Sequence, residues 1–278
     1  MQKSFQTKKP TLYLVSTPIG NLKDITYRAI ETLKSVDLVY AEDTRTSAKL
    51  FSQYEITVPL FSYHDHNKEQ QTELILEQLA ANKNIALISD AGTPGISDPG
   101  YEIILKAIEH NFHVVAIPGA NAILTALLPS GILLQPFTFI GFLPRKKMQA
   151  AELLNTFTQR KETLIIYESP QRIKETTELL YKTLGNRKVT YARELTKLYE
   201  TYFRTNLKDA LEIEHNPKGE YVIVVEGTTA ITEFNISLEE HLILYIKQGL
   251  TEKEAMRKVA KDRNLSKNEL YQHFKIQK

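Results

Sequence analysis

Apolar positions along the chain fall into short unbroken runs that alternate with stretches of helical spacing. Residues 11–17 (TLYLVST) form a run rich in β-favouring side chains, closed by Pro18 and Gly20, which predicts a buried strand entering a tight loop. Ile25, Ala29, Ile30 and Leu33 then recur at helical spacing, predicting a helix over 25–36. The alternation continues with strand-like 37–41, helical 46–54, strand-like 58–63, helical 68–81, strand-like 84–89, helical 99–110 and strand-like 112–117. Strands and helices that alternate through short connections imply a mainly parallel sheet covered by helices on both faces.

A stretch punctuated by Pro118, Gly119, Pro129, Gly131 and Pro136 interrupts the pattern and marks an inter-domain junction. The alternation then resumes: strand 137–142, helix 147–160, strand 163–167, helix 170–183, and strand-like segments 188–193, 200–205 and 221–226. Beyond Thr228 the character changes to three short helices over 238–248, 251–263 and 266–274. Thr251 and Ser266 each precede a Glu three residues on (Glu254, Glu269), the signature of a capping box. The expected organisation is therefore α/β, with two α/β domains forming a cleft (1–118 and 119–228) and a small basic helical domain (229–278).

Composition agrees with a folded α/β chain: 278 residues, 42% hydrophobic and 24% charged, suit roughly two domains. No apolar run approaches the roughly 20 residues needed to cross a bilayer. The N-terminus carries lysines without an apolar segment behind them, so a secretion signal is not expected. The absence of cysteine removes disulfides, thiolate metal sites and cysteine nucleophiles, and fits a cytoplasmic protein. The net charge of +2 is small, but residues 251–278 carry +4 and the remainder −2. A basic tail on a near-neutral body fits an RNA or DNA footprint, and equally a solvated helical surface.

Seven of the eleven glycines lie between residues 20 and 141, at predicted strand ends or in loops. The densest cluster is 89–100 (SDAGTPGISDPG), with three glycines and two prolines directly after the strand-like run IALI. Ligands of open α/β sheets bind outside the carboxyl ends of strands, so this loop is the expected centre of an active cleft. Neither a G-x-x-x-x-G-K-[ST] loop nor a G-x-G-x-x-G turn follows the first strand. A nucleoside ligand without a polyphosphate is therefore preferred over ATP or NAD.

Five segments in order resemble successive motifs of the tetrapyrrole methylase family: 16–26 (STPIGNLKDIT), 41–45 (AEDTR), 89–100, 117–121 (IPGAN) and 167–172 (YESPQR). The resemblance runs from about residue 12 to 227, and within the family it is strongest to members acting on small-subunit ribosomal RNA. It implies an S-adenosyl-L-methionine-dependent methyltransferase with the cofactor folded between two α/β domains. It further implies methylation of a cytidine ribose 2′-hydroxyl in 16S rRNA or the 30S subunit, and a homodimer. Carried over motif by motif, the cofactor contacts fall on Pro18 and Ile19, and on Gly92, Thr93, Ile96 and Ser97 in the long loop. Asn121 and Ala122 begin the next helix, where backbone N–H groups could receive the adenosine or carboxylate end. Tyr167, Glu168, Leu195 and Glu220 complete the second-domain wall. The first loop departs from the glycine-richer loop of the porphyrin-methylating branch, which argues against a tetrapyrrole substrate.

A ribose hydroxyl is a poor nucleophile until its proton is removed, so a general base is expected, with Glu42, Asp43 and Asp90 as candidates. Arg45 offers a bidentate contact to phosphate or carboxylate, with Lys23 and Arg28 flanking the same mouth. The alternative for 42–45 is a helix N-terminus with acids favoured by the dipole. Arg145 and Lys146, at a strand–helix turn, fit either RNA steering or a solvated turn. His64 and His66 would share a face if their segment were a strand, but no third ligand accompanies them and no metal is expected. Arg193 and Glu194 fit an internal ion pair or substrate contacts, and Tyr199, Tyr202 and Phe203 fit strand packing. Arg257, Lys258, Lys261, Arg263 and Lys267 give the C-terminal helices the look of a small RNA-binding appendage, with a dimerising or capping bundle as the alternative.

Overall fold

The structure is a computed structural model describing residues 2–4, 6, 9–228, 237–247, 249–263, 265, 266 and 270, with Lys261 described through its backbone alone. The first half contains β1 (Thr11–Val15), α1 (Tyr27–Ser35), β2 (Leu38–Ala41), α2 (Thr44–Gln53), β3 (Leu60–Ser62), α3 (Lys68–Ala80), β4 (Ile85–Ile88), α4 (Tyr101–Glu109) and β5 (His113–Ile117). Its sheet runs β3-β2-β4-β1-β5, and every pairing is parallel. Alternate residues of one strand serve opposite cores. Ala86 and Ile88 face Ala29, Leu33, Leu50 and Phe51 of α1 and α2, whereas Ile85 and Leu87 face Ile75, Leu79, Ile103 and Ala107 of α3 and α4. Burial on both faces explains why these strands read as continuous apolar runs.

The second half contains α5 (Ala122–Leu127), β6 (Phe137–Phe142), α6 (Lys147–Asn155), β7 (Thr163–Glu168), α7 (Ile173–Leu184), β8 (Lys188–Arg193), β9 (Thr201–Asn206), α8 (Leu207–Ala210) and β10 (Tyr221–Val225). Its sheet runs β6-β7-β10-β8-β9. Only β6 and β7 are parallel; β10 lies antiparallel between β7 and β8, and β9 is antiparallel to β8. The expectation of a mainly parallel sheet, drawn from the first half, holds there; the second sheet is mixed. The β8–β9 connection is a tight turn over 194–200, and such a turn joins antiparallel strands.

One face of the second sheet packs against α6, α7 and α8 through Leu154, Ile173, Leu180 and Leu207. The other face carries Ile165, Ala192, Val222 and Val224 and is covered by Ile123, Ala126 and Leu127 of α5, together with Ile19 from the first half. The punctuated stretch read as a junction thus contains a six-residue helix. Beside it the second sheet meets the loops of the first.

At the C-terminus lie α9 (Leu238–Lys247) and α10 (Glu252–Asp262), which share a separate small core of Leu242, Ala255, Val259, Ala260 and Leu270. The capping box of Thr251 and Glu254 is formed: Thr251 N–H donates to Glu254 Oε2 at 3.0 Å and Glu254 N–H to Thr251 Oγ1 at 3.4 Å. The helix expected over 266–274, with its Glu269 cap, lies outside the described residues apart from Ser266 and Leu270. Among the described residues no helix is long and apolar enough to cross a membrane.

Candidate active site

Three parallel strand ends, those of β1, β4 and β5, are tied together where the chain turns into loops. Thr17 N–H donates to Gly92 O at 2.8 Å, Gly92 N–H returns to Thr17 O at 3.1 Å, and Ser16 N–H donates to Ile117 O at 3.2 Å. The Thr17 hydroxyl donates to Ser89 O at 3.0 Å, and the Ser16 and Thr93 hydroxyls are 2.8 Å apart. Gly92 holds φ +79°, and a Cβ there would also come within 3.4 Å of Ile19. The loop is glycine here because the left-handed backbone is costly for any residue with a Cβ.

These loops face the second sheet across a cavity of about 340 Å³, a size that holds a nucleoside-class ligand. Ile19, Gly92, Thr93, Ile96, Ser97, Asn121 and Ala122 line it from one side, and Tyr167, Glu168, Leu195 and Glu220 from the other. Eleven of the twelve residues expected to contact a cofactor are thus gathered around one space; Pro18 sits next to Ile19 but does not line it. Ala91, Asp98, Phe142, Ser169, Pro170, Tyr221 and Val222 also line the cavity and were not singled out from the sequence. Asp98 lay within the flagged loop, so it could have been found. Phe142 and Val222 read as ordinary strand residues until the second sheet is laid against the first.

Asn121 departs from the expected use of its helix. Its Oδ1 accepts from Ile123 N–H at 3.0 Å and Leu124 N–H at 3.2 Å, so those two donors are already satisfied. Glu168, 2% exposed, is also fully engaged. It accepts from the Thr176 hydroxyl at 2.6 Å and Ser169 N–H at 2.8 Å, with Arg172 Nε at 3.7 Å. The same arginine donates to the carbonyls of Leu143 and Pro144, fixing the turn that carries Arg145 and Lys146. Tyr167 meets Phe139 and Phe142 edge-on, with ring centroids 4.7 and 5.7 Å away. Burial, then the nearby carboxylates of Asp98 and Glu220, push its phenol up to about 12, so it stays neutral.

Beside the cavity, the ends of β2 and β4 interlock through carboxylates. Asp43 N–H donates to Asp90 Oδ1 at 3.0 Å, which brings the Glu42–Asp43 pair against the head of the long loop. Desolvation, then repulsion from Asp98, Asp90 and Asp65, raises the Glu42 carboxyl from 4.5 to about 7. Asp90 and Asp98 are also raised, each chiefly by desolvation. Asp43 goes the other way, to about 2, through hydrogen bonds from Arg45. It caps α2 through Arg45 N–H at 2.8 Å and receives the guanidinium as a fork, Nε at 3.1 Å and Nη2 at 2.8 Å.

Arg45 is 90% exposed but committed to Asp43. Lys23, Arg28, Arg145 and Lys146 are exposed, and none of the five expected substrate cations lines the cavity. His64 and His66 lie in the turn after β3 rather than on a strand, with rings 6.0 Å apart. Among the described residues no group of three or more His, Cys, Asp or Glu is placed to hold a metal. Arg193 donates to Lys218 O at 2.7 Å and Glu194 pairs with Lys197 at 3.0 Å. Tyr202 packs as expected and donates to Thr125 O at 2.8 Å, while Tyr199 is 70% exposed instead of packed.

Strand-end loops enclosing a cleft between a parallel and a mixed sheet define a two-sheet α/β protein with an open site at the strand ends. Residues 11–211 match the profile of the Tetrapyrrole (Corrin/Porphyrin) Methylases, and the chain belongs to that family. It is 48% identical, over 99% of its length and 98% of the relative's, to the Bacillus subtilis protein named Ribosomal RNA small subunit methyltransferase I. Proteins of the same name from Halalkalibacterium halodurans and Synechocystis are 46% and 45% identical, over 97% and 94% of this chain and 97% and 96% of theirs. Among solved structures, diphthine synthase superposes with a TM-score of 0.61 at 13% identity, covering 81% of this chain and 93% of that one. The methyltransferase CobJ gives 0.61 at 16%, covering 79% and 95%. At such identities these structures share the fold alone.

Proposed function

We propose that the protein is an S-adenosyl-L-methionine-dependent methyltransferase that methylates a cytidine ribose 2′-hydroxyl in 16S rRNA. The observation that carries this reading is the cavity between the two sheets, lined by the loops that match the methylase motifs. The near full-length similarity to proteins named for small-subunit ribosomal RNA supports the substrate class. Ile19, Leu195 and Val222 supply apolar walls, and Thr93, Ser97 and Asn121 polar edges, suited to an adenosine flanked by an amino acid. The sulfonium supplies an already activated methyl group, so what is asked of the chain is alignment and a proton acceptor.

Glu42 is the proposed acceptor: its proton affinity lies near neutrality, while Asp43 is committed to Arg45 and the α2 cap. Glu42 would take the hydroxyl proton as its carboxylate, and bound S-adenosyl-L-methionine would supply the methyl group and leave as the neutral thioether. Asp98, on the cavity wall and within electrostatic reach of Glu42, would offer negative charge to a bound sulfonium. A homodimer belongs to the same proposal; the exposed Leu124, Leu128 and Leu133 offer an apolar surface for it. Incubation of the protein with labelled S-adenosyl-L-methionine and 30S subunits, followed by nucleoside analysis, is expected to yield labelled 2′-O-methylcytidine. Base-methylated or unlabelled RNA would sink the reading.

A further inference from the structure

The turn between β8 and β9 is built around contacts that the proposed chemistry does not use. Glu194 and Thr196 hold φ of +51° and +64°, the left-handed region that side chains with a Cβ rarely adopt. Several bonds hold them there. Glu194 N–H donates to Glu220 O at 3.2 Å, Lys197 N–H to Glu194 O at 3.1 Å, and Thr196 N–H to Glu200 Oε2 at 2.7 Å. The Glu194 carboxylate lies directly over Gly219, where an added Cβ would be 2.6 Å from Oε1. It receives Lys197 Nζ at 3.0 Å and Glu220 N–H at 3.3 Å.

The stem of Lys197 lies on the other half of the molecule. A Cβ on Gly20, in the loop after β1, would be 2.6 Å from Lys197 Cγ and 2.9 Å from Leu195 O. Here the two halves meet as a lysine stem and a carbonyl laid against bare glycine backbone. The neighbouring residues on either side, Ile19 and Leu195, are opposite walls of the cavity and share one apolar cluster.

We propose that Lys197 is a latch, a positioning residue whose stem rests on Gly20 and whose ammonium is tied to Glu194, so that it sets the separation of the two cavity walls. In this arrangement the strained turn has a purpose: it aims a lysine of the second sheet at a glycine of the first, beside the ligand. The ligand part of the test rests on the cofactor reading above, whereas the geometric part does not.

The chain has no cysteine, so Ala48→Cys on α2 and Lys174→Cys on α7, both at exposed positions, give two unique spin-label sites in the full-length protein. Pulsed dipolar spectroscopy on the ligand-free protein is expected to give a narrow distance distribution that Lys197→Ala broadens and Lys197→Arg restores. If the competent closed fraction falls to about a tenth, S-adenosyl-L-methionine affinity measured by calorimetry falls about tenfold for Lys197→Ala and recovers for Lys197→Arg. An unchanged distribution and affinity in Lys197→Ala, with thermal melting showing an intact fold, would overturn the latch. Equal impairment of the Ala and Arg variants would overturn it as well. Failure of the unsubstituted protein to bind S-adenosyl-L-methionine would instead sink the methyl-transfer reading, with the distance distributions still deciding the latch.

Discussion

Glu42 and Asp43 are sequence neighbours with opposite electrostatic surroundings. Glu42 looks toward Asp90, Asp98 and Asp65, and its proton is held to about 7. Asp43 looks toward Arg45, and its proton is lost by about 2. Glu42→Gln is expected to lower the methylation rate by about 100-fold or more, the usual contribution of a general base, with cofactor affinity unchanged. In the unsubstituted protein the rate should climb with pH through about 7 as Glu42 ionises, and the Gln variant should lose that dependence. The effect on stability has the opposite sense. A carboxyl whose folded pKa lies above its unfolded value favours folding most at low pH, and that contribution is lost as pH rises from 4.5 through 7. Glu42→Gln should therefore melt higher than the unsubstituted protein at pH 8, by at most ~1 kcal/mol once solvent screening of a half-exposed carboxyl is allowed for. A lower melting temperature at pH 8 would contradict the raised proton affinity. From the sequence, both acids and Asp90 were equal candidates for the base. An Asp directly before a helix is a legible cap, but which acid keeps its proton depends first on burial and then on Asp98, Asp90 and Asp65, brought in from other loops.

At the level of elements, the loops that close β1, β4 and β5 act as one unit, because Thr17 and Gly92 bridge the first two in both directions and Ser16 N–H ties the first to Ile117 O at the end of β5. Gly92→Ala puts a Cβ on a left-handed backbone and against Ile19, so it should destabilise the fold by about 1–2 kcal/mol. It should weaken cofactor binding at the same time, because Ile19 and Gly92 share the cavity wall. Melting and calorimetry on one sample check both; a stability loss with wild-type affinity would separate the loop from the ligand. The parallel sheet was readable because its strands are buried on both faces and so appear as apolar runs such as IALI. The direction of β10 was not. YVIVV has the same fully buried pattern in either orientation, and only pairing with β7 and β8 makes it antiparallel. The start of α5 was legible only through the motif resemblance, which opens a helix at Asn121 and Ala122; its own six residues, flanked closely by prolines and glycines, leave too short a period to recognise.

On the scale of the whole molecule, the cleft is a product of two sheets whose contributing segments lie far apart in sequence, from Ile19 to Val222. Motif order made its loop residues legible one segment at a time. Wall residues such as Phe142 belong to no loop motif and emerge only when the sheets face one another. The C-terminal helices stand differently, since their core of Leu242, Ala255, Val259, Ala260 and Leu270 draws on no residue of either sheet cluster. That separation, with a charge of +4 on residues 251–278 against −2 on the rest, assigns the two parts different tasks under the proposed function. Under that proposal the cofactor is held by the cleft residues, none of which belongs to the tail, and the tail attracts the RNA phosphates that a near-neutral body attracts poorly. Removal of residues 229–278 should therefore leave S-adenosyl-L-methionine affinity within about twofold while weakening RNA methylation well beyond that. The slope of log affinity against log salt scales with the number of phosphates a protein neutralises, by about one per phosphate, so it too should fall without the tail. The discriminating measurement is that slope, taken with and without the tail on the same RNA. A shallower slope in the shortened chain marks the tail as an electrostatic arm. An unchanged slope with cofactor affinity and methylation falling together marks it as a support for the fold, and the basic surface would then be solvated helix and nothing more.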